Sequence, residues 1–174
     1  MKKIIFKFFI YSVLFSLFII LGINSLKKMK EKIIAEGTIQ IFNKFCALSI
    51  GNNHEFCTDS LPVQPIFLLF MHPECDFCNE EINQIKKYQN VFDNVSILLI
   101  STAQKNQAVD FYSKHKLSQF NNIRFLIDED FRISNFYNVK VIPTVFIYGN
   151  NKKLIFTNKG EIKIETIIYY LSKE

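Results

Sequence analysis

The stretch IFLLFMHPECDFC, residues 66–78, decides the fold. Its first half, Ile66 to Met71, is a short continuous apolar run, the pattern of a strand buried on both faces. Its second half ends with Cys75 and Cys78 in C-x-x-C spacing. In the residues that follow, Cys78, Ile82, Ile85 and Phe92 recur at helical spacing, so the cysteines open a helix at the end of a buried strand. Unpaired backbone N–H groups and the helix dipole favour negative charge there, which lowers a thiol's pKa and makes Cys75 the nucleophile. Cys78, about one turn further in, is spaced to attack a mixed disulfide formed on Cys75. Zinc sites use the same spacing, but the further ligands would have to come from Cys46, Cys57, His54 and His72, which are irregularly spaced. No metal and no cofactor is therefore expected. Two inert core thiols are the remaining alternative.

Outward from this stretch, strand-like and helix-like segments alternate. Val95 to Ile100 is a second buried strand, Gln104 to Lys116 a helix, Ile123 to Ile127 a third strand and Phe131 to Tyr137 a short helix. Thr144 to Tyr148 and Lys153 to Thr157 flank a turn at Gly149-Asn150-Asn151, and a helix from Glu161 to Leu171 ends the chain. Upstream, Thr38 to Phe42 alternates as a strand does, and Phe45 to Ile50 and Glu55 to Leu61 flank a turn at Gly51 to His54. This is an α/β sheet covered on both faces, with an antiparallel edge. Pro143, directly before a buried-looking strand, has no N–H for a ladder and must sit at the strand's start.

The order strand, Cys75-x-x-Cys78, helix, strand, helix, strand, short helix, Ile142-Pro143-Thr144, hairpin, helix resembles the thioredoxin fold. In particular it resembles the membrane-anchored TlpA/ResA-type thiol–disulfide oxidoreductases, over roughly Phe42 to Leu171. The resemblance implies a thioredoxin-like central mixed sheet with helices on both faces. It also implies that Cys75 attacks and Cys78 resolves. Pro143 is then a cis-proline facing them, and the Ile142 backbone pairs with a bound substrate segment. The implied substrates are exported cysteine-containing proteins, as in cytochrome c maturation, and the implied electron donor is a membrane oxidoreductase.

Three positions depart from that pattern: Glu74 stands where the family usually has tryptophan, Asp76-Phe77 lacks the usual proline, and Leu69 replaces the buried aspartate of thioredoxins proper. Glu74 and Asp76 put negative charge beside Cys75, which disfavours a thiolate. A less stabilised thiolate means a more stable disulfide, so the pair is expected to act as a reductant in preference to an oxidant. His72, three residues before Cys75, is a further tuning candidate or a plain loop histidine.

The rest of the chain says where such a domain would work. With 49% hydrophobic residues, five glycines and four cysteines in 174 residues, it is neither disordered, collagen-like nor a disulfide scaffold. The formal charge of +5 lies wholly in residues 1–36, where seven lysines face two acids; the remainder carries 14 basic and 14 acidic side chains. That excess flanks Phe8 to Leu26, nineteen residues without a charge, which is close to the roughly 20 needed to span a bilayer. The expected organisation is a flank (1–7), a transmembrane anchor (8–26), a stalk (27–37) and the domain (38–174), with no nucleic-acid partner. A cleavable signal peptide is the rival reading of the apolar segment.

Cys46 and Cys57 fall opposite each other if the turn centres on Gly51-Asn52, which allows either a disulfide, two buried thiols or a relay to Cys75. A disulfide would match a domain on the extracytoplasmic side of the cell membrane. Two other functions use the same fold. A peroxiredoxin-type thiol peroxidase would want threonine where His72 stands, and a non-catalytic binding module would make no use of the pair.

Overall fold

The computed structural model describes residues 18–26 and 37–174. Residues 18–26 are helical (α1) with exposed side chains. The expected flank, most of the expected anchor and nearly all of the stalk lie outside the described residues. Among the described residues, no helix is long and apolar enough to cross a membrane. The chain divides into two compact units, one ending at Thr38 and the other running from Ile39 to Glu174.

The second unit is built on seven strands: β1 (Cys46–Ser49), β2 (Glu55–Cys57), β3 (Ile66–Met71), β4 (Ser96–Ser101), β5 (Ile123–Ile127), β6 (Thr144–Tyr148) and β7 (Leu154–Lys159). They form one sheet in the order β2-β1-β5-β4-β3-β6-β7. Strands β3, β4 and β5 run parallel; β6, β7, β1 and β2 each pair antiparallel to their neighbours. The helices are α2 (Asp76–Lys87), α3 (Gln89–Phe92), α4 (Lys105–Lys114), α5 (Arg132–Phe136) and α6 (Ile164–Leu171).

The sheet divides its side chains with the period of two that a pleated strand imposes. Phe67, Leu69 and Met71 of β3, Ile97 and Leu99 of β4 and Val145 and Ile147 of β6 enter one core with Cys78, Ile82, Phe111, Ile164 and Ile167. Ile66, Leu68 and Phe70, with Leu98, Ile100, Phe146 and Tyr148, enter a second core against Ile133 and Tyr137. Helices α2, α4 and α6 thus cover one face and α5 the other. Burying each such side chain contributes roughly 1.5–3 kcal/mol, so the central strands are fixed in register from both sides.

Three sequence expectations change. Thr38 to Phe42 forms no strand; Ile41 makes a single bridge to Lys153, and Phe42 donates its N–H to the Lys152 carbonyl. The helix after Cys75 stops at Lys87, and Phe92 belongs to the separate turn α3. The last helix begins at Ile164, because residues 160–163 form a loop: Gly160 N–H donates to the Pro143 carbonyl at 2.7 Å, and Asn158 Nδ2 donates to the Gly160 and Glu161 carbonyls.

Candidate active site

The parallel strands β3, β4 and β5 all end at one edge of the sheet, where loops and helix N-termini gather. From the end of β3 the chain turns through His72 and Pro73, with the Cys75 N–H donating to the His72 carbonyl at 3.0 Å. Cys75 is the N-cap of α2, its Sγ accepting the Cys78 backbone N–H at 3.2 Å. A sulfur so placed meets the positive end of the helix, and that N–H is available to the thiolate once the pair is reduced.

Cys75 and Cys78 are bonded to each other. Cys75 is half-buried and Cys78 fully buried, at 0% exposure. That asymmetry suits an attacking and a resolving sulfur, since only the first can meet an incoming chain. The antiparallel register sets Phe70 opposite Thr144, so Pro143 enters β6 at the same edge from which β3 departs for Cys75. The Ile142–Pro143 peptide is cis. Val141 and Ile142 beside it, and Phe77 between the cysteines, are exposed apolar side chains, at 51%, 42% and 55%. A cavity of about 180 Å³ lies under this loop, lined by Phe70, Met71, Ile100, Phe131, Val141 and Ile142 among others.

The other expected site residues are also placed. His72 Nδ1 accepts the Glu74 backbone N–H at 3.3 Å, so this histidine supports the turn from inside it. Glu74 is exposed and its carboxylate accepts from Gln107 Nε2 at 3.0 Å. Asp76 is exposed in the first turn of α2, where the dipole favours an acid. Cys46 and Cys57 are cross-strand partners and are joined by a disulfide. Their sulfurs and Glu55 make up the one group of potential metal-binding side chains found among the described residues, but the disulfide occupies both sulfurs. This hairpin lies three strands from β3, on the order of 14 Å across the sheet.

Glu81 of α2 is not among the site residues expected from the sequence. It is 5% exposed, and neither carboxyl oxygen has a hydrogen-bond partner. Burial pushes its pKa up to about 8, with the nearby Glu161 adding to the rise; the Ile162 backbone N–H pulls the other way without completing a hydrogen bond. Glu81 borders a cavity of about 30 Å³ between α2 and the 160–163 loop with the start of α6, room for one or two waters. The helical spacing carried the signal: Cys78, Glu81, Ile82 and Ile85 are the buried stripe of α2. Leu69 faces the same core, so the buried carboxyl on this side comes from the helix and not from β3.

The sequence profile of the AhpC/TSA family matches residues 44–157, and the chain belongs to that family. No curated protein matches it significantly in sequence. Among solved structures, a secreted Mycobacterium tuberculosis disulfide oxidoreductase homologous to Escherichia coli DsbE is 23% identical with a TM-score of 0.65, covering 79% of this chain and 98% of its own. A putative thiol:disulfide interchange protein DsbE from Chlorobium tepidum is 14% identical with a TM-score of 0.64, covering 77% and 94%. The peroxidoxin BcpB of Mycobacterium tuberculosis is 15% identical, also at 0.64, covering 76% and 94%. At these identities the likeness is one of fold, and that fold is thioredoxin-like. With its family and its bonded Cys75–Cys78 pair, the chain is a thiol–disulfide oxidoreductase.

Proposed function

We propose that this member of the AhpC/TSA family is a membrane-anchored reductase of disulfides in exported proteins, of the TlpA/ResA type. One observation carries the reading: an accessible Cys75 capping α2, bonded to a fully buried Cys78. In the reduced protein the Cys75 thiolate attacks a substrate disulfide, forming a mixed disulfide and expelling one substrate thiolate, which takes up a proton. Cys78 then loses its proton and attacks Cys75 Sγ. The second substrate thiol leaves, and two electrons have passed from the pair to the substrate. The bonded pair of the structure is the product of this cycle, and a dithiol donor must reduce it again. Glu81 lies on the same buried stripe of α2 as Cys78, and burial raises its carboxyl pKa to about 8. The exposed Phe77, Val141 and Ile142 offer apolar contact to a substrate segment lying along the start of β6.

The test is the reduction potential of the Cys75–Cys78 pair in the full-length protein, equilibrated against glutathione and dithiothreitol. A value near or below roughly −250 mV is expected; one nearer −120 mV makes the protein an oxidant. Cys75→Ser abolishes disulfide reduction, and Cys78→Ser accumulates mixed disulfides. The peroxidoxin fold-mate gives the second reading its observation: rapid peroxide consumption by the reduced protein would replace reductase with peroxidase.

A further inference from the structure

We infer that His115 is a positioning residue for the reactive pair: with its proton on Nε2, it fixes the Asn79 amide so that both Asn79 N–H groups hold carbonyls of the Cys75 loop. The inference rests on the reading of Cys75 as the attacking thiol.

Asn79 directly follows Cys78. Its Nδ2 donates to the Pro73 carbonyl at 3.0 Å and to the Cys75 carbonyl at 2.9 Å, while its Oδ1 lies 2.9 Å from His115 Nε2. An amide oxygen only accepts, so the ring nitrogen facing it must carry the proton. Turning the Asn79 amide over would aim its oxygen at two carbonyl oxygens, so this orientation alone satisfies all three neighbours. His115 caps the C-terminus of α4, is 6% exposed and stacks on Phe111 with ring centroids 4.2 Å apart. The groups acting on it are Asn79 and Lys86 from α2 and Phe111 and Lys114 from α4. Burial first, then the two lysines, lowers its pKa, which keeps the ring neutral.

The other end of α4 holds the same segment. Gln107 Nε2 donates to Glu74 Oε1 at 3.0 Å, while Gln107 Oε1 accepts the Gln104 N–H at 3.3 Å. Helix α4 therefore grips residues 74 and 79, on either side of the cysteines. In the oxidised protein the disulfide also closes this loop. In the reduced protein that bond is gone, and these ties are left with the Cys75 N–H to His72 and Asn79 N–H to Cys75 main-chain bonds to keep Sγ facing the Cys78 N–H. Loss of the tie weakens that donor's hold on the thiolate and raises the Cys75 pKa.

The test is the pH dependence of Cys75 alkylation by iodoacetamide in the reduced full-length protein, followed by peptide mass spectrometry. His115→Leu and Asn79→Leu are expected to raise the midpoint by about 0.5–1 pH unit. His115→Gln, which keeps an N–H donor at that reach, should return it to the wild-type value. An unmoved midpoint in the leucine variants overturns the inference, as does a glutamine variant shifted as far as leucine. Should the leucine variants not fold, the wild-type imidazole answers by NMR. A neutral Nε2–H tautomer at pH 7 with a titration below 6.5 upholds the tie, and an Nδ1–H tautomer or an ordinary titration overturns it. Neither measurement needs a substrate. A chain that shows the midpoint shift yet reduces no disulfide thus refutes the proposed function and leaves the tie standing.

Discussion

Glu81 is the acid whose burial has an electrostatic consequence near neutral pH. A carboxyl without a hydrogen-bond partner in an apolar setting resists ionisation, because the charged form would lose its hydration and gain nothing in return. Below about pH 4.5 it is protonated in folded and unfolded chains alike. Between there and about 8 the unfolded chain gives up this proton while the folded chain keeps it, and above about 8 both are ionised. Stability contributed by the neutral carboxyl is therefore full at low pH and lost as pH rises, by up to about 1.4 kcal/mol per unit within that window. Glu81→Gln removes the slope. Urea unfolding of both proteins at pH 5, 6.5 and 8 should show the wild type losing ground to the variant at each step. Parallel stabilities across the range would mean that Glu81 ionises freely in the folded protein. His115 pulls in the opposite direction, its lowered pKa costing stability as pH falls below 6.5, and it cancels from the comparison because both proteins contain it.

Among the elements, those set by burial were legible in the sequence and those set by particular contacts were not. Ile66–Met71, Ile123–Ile127 and Thr144–Tyr148 read directly as strands because nearly every residue in them is buried, which leaves apolar runs broken only by Arg124 and led in the last case by Thr144. The hairpin register that pairs Cys46 with Cys57 followed from where the turn sits. Thr38 to Phe42 misled because alternation records exposure and not pairing; its one bridge needs Lys153, more than a hundred residues away. The late start of α6 was equally hidden, since it depends on the Pro143 carbonyl capturing the Gly160 N–H. At the site, the C-x-x-C and Pro143 were visible as residue types at fixed places, whereas the Asn79–His115 bond joins two elements that no local pattern connects. The hairpin disulfide yields its own prediction. It closes a loop with a sequence separation of 11, so replacing both Cys46 and Cys57 by alanine should cost roughly 2–3 kcal/mol through unfolded-chain entropy. Denaturant unfolding measures this. Because the hairpin lies three strands from β3, the Cys75–Cys78 potential should stay where it was; a displaced potential would show that the two pairs communicate.

For the molecule as a whole, charge and chemistry divide the chain at the same place. Residues 1–36 hold the entire +5, and the remainder is balanced at 14 against 14. A balanced domain carries no net charge toward an anionic surface, so the electrostatic case for membrane attachment rests on the N-terminal segment alone. The Cys46–Cys57 disulfide, which takes no part in the redox cycle, fits the proposed placement, because the cytosolic thiol pool keeps such bonds reduced while an extracytoplasmic space lets them persist. The proposed anchored domain on the outer side of the cell membrane makes a joint prediction about the full-length chain in a bacterial cell. It should remain with membranes after alkaline carbonate washing, whereas a chain beginning at residue 37 should be released. After mild reduction of intact spheroplasts, a membrane-impermeant maleimide should label Cys75, the accessible member of its pair. Release of the full chain by carbonate would make the N-terminal segment a cleaved or peripheral one. Labelling only after lysis would put the domain in the cytoplasm, where a reducing Cys75–Cys78 pair would draw on soluble donors and need no membrane partner.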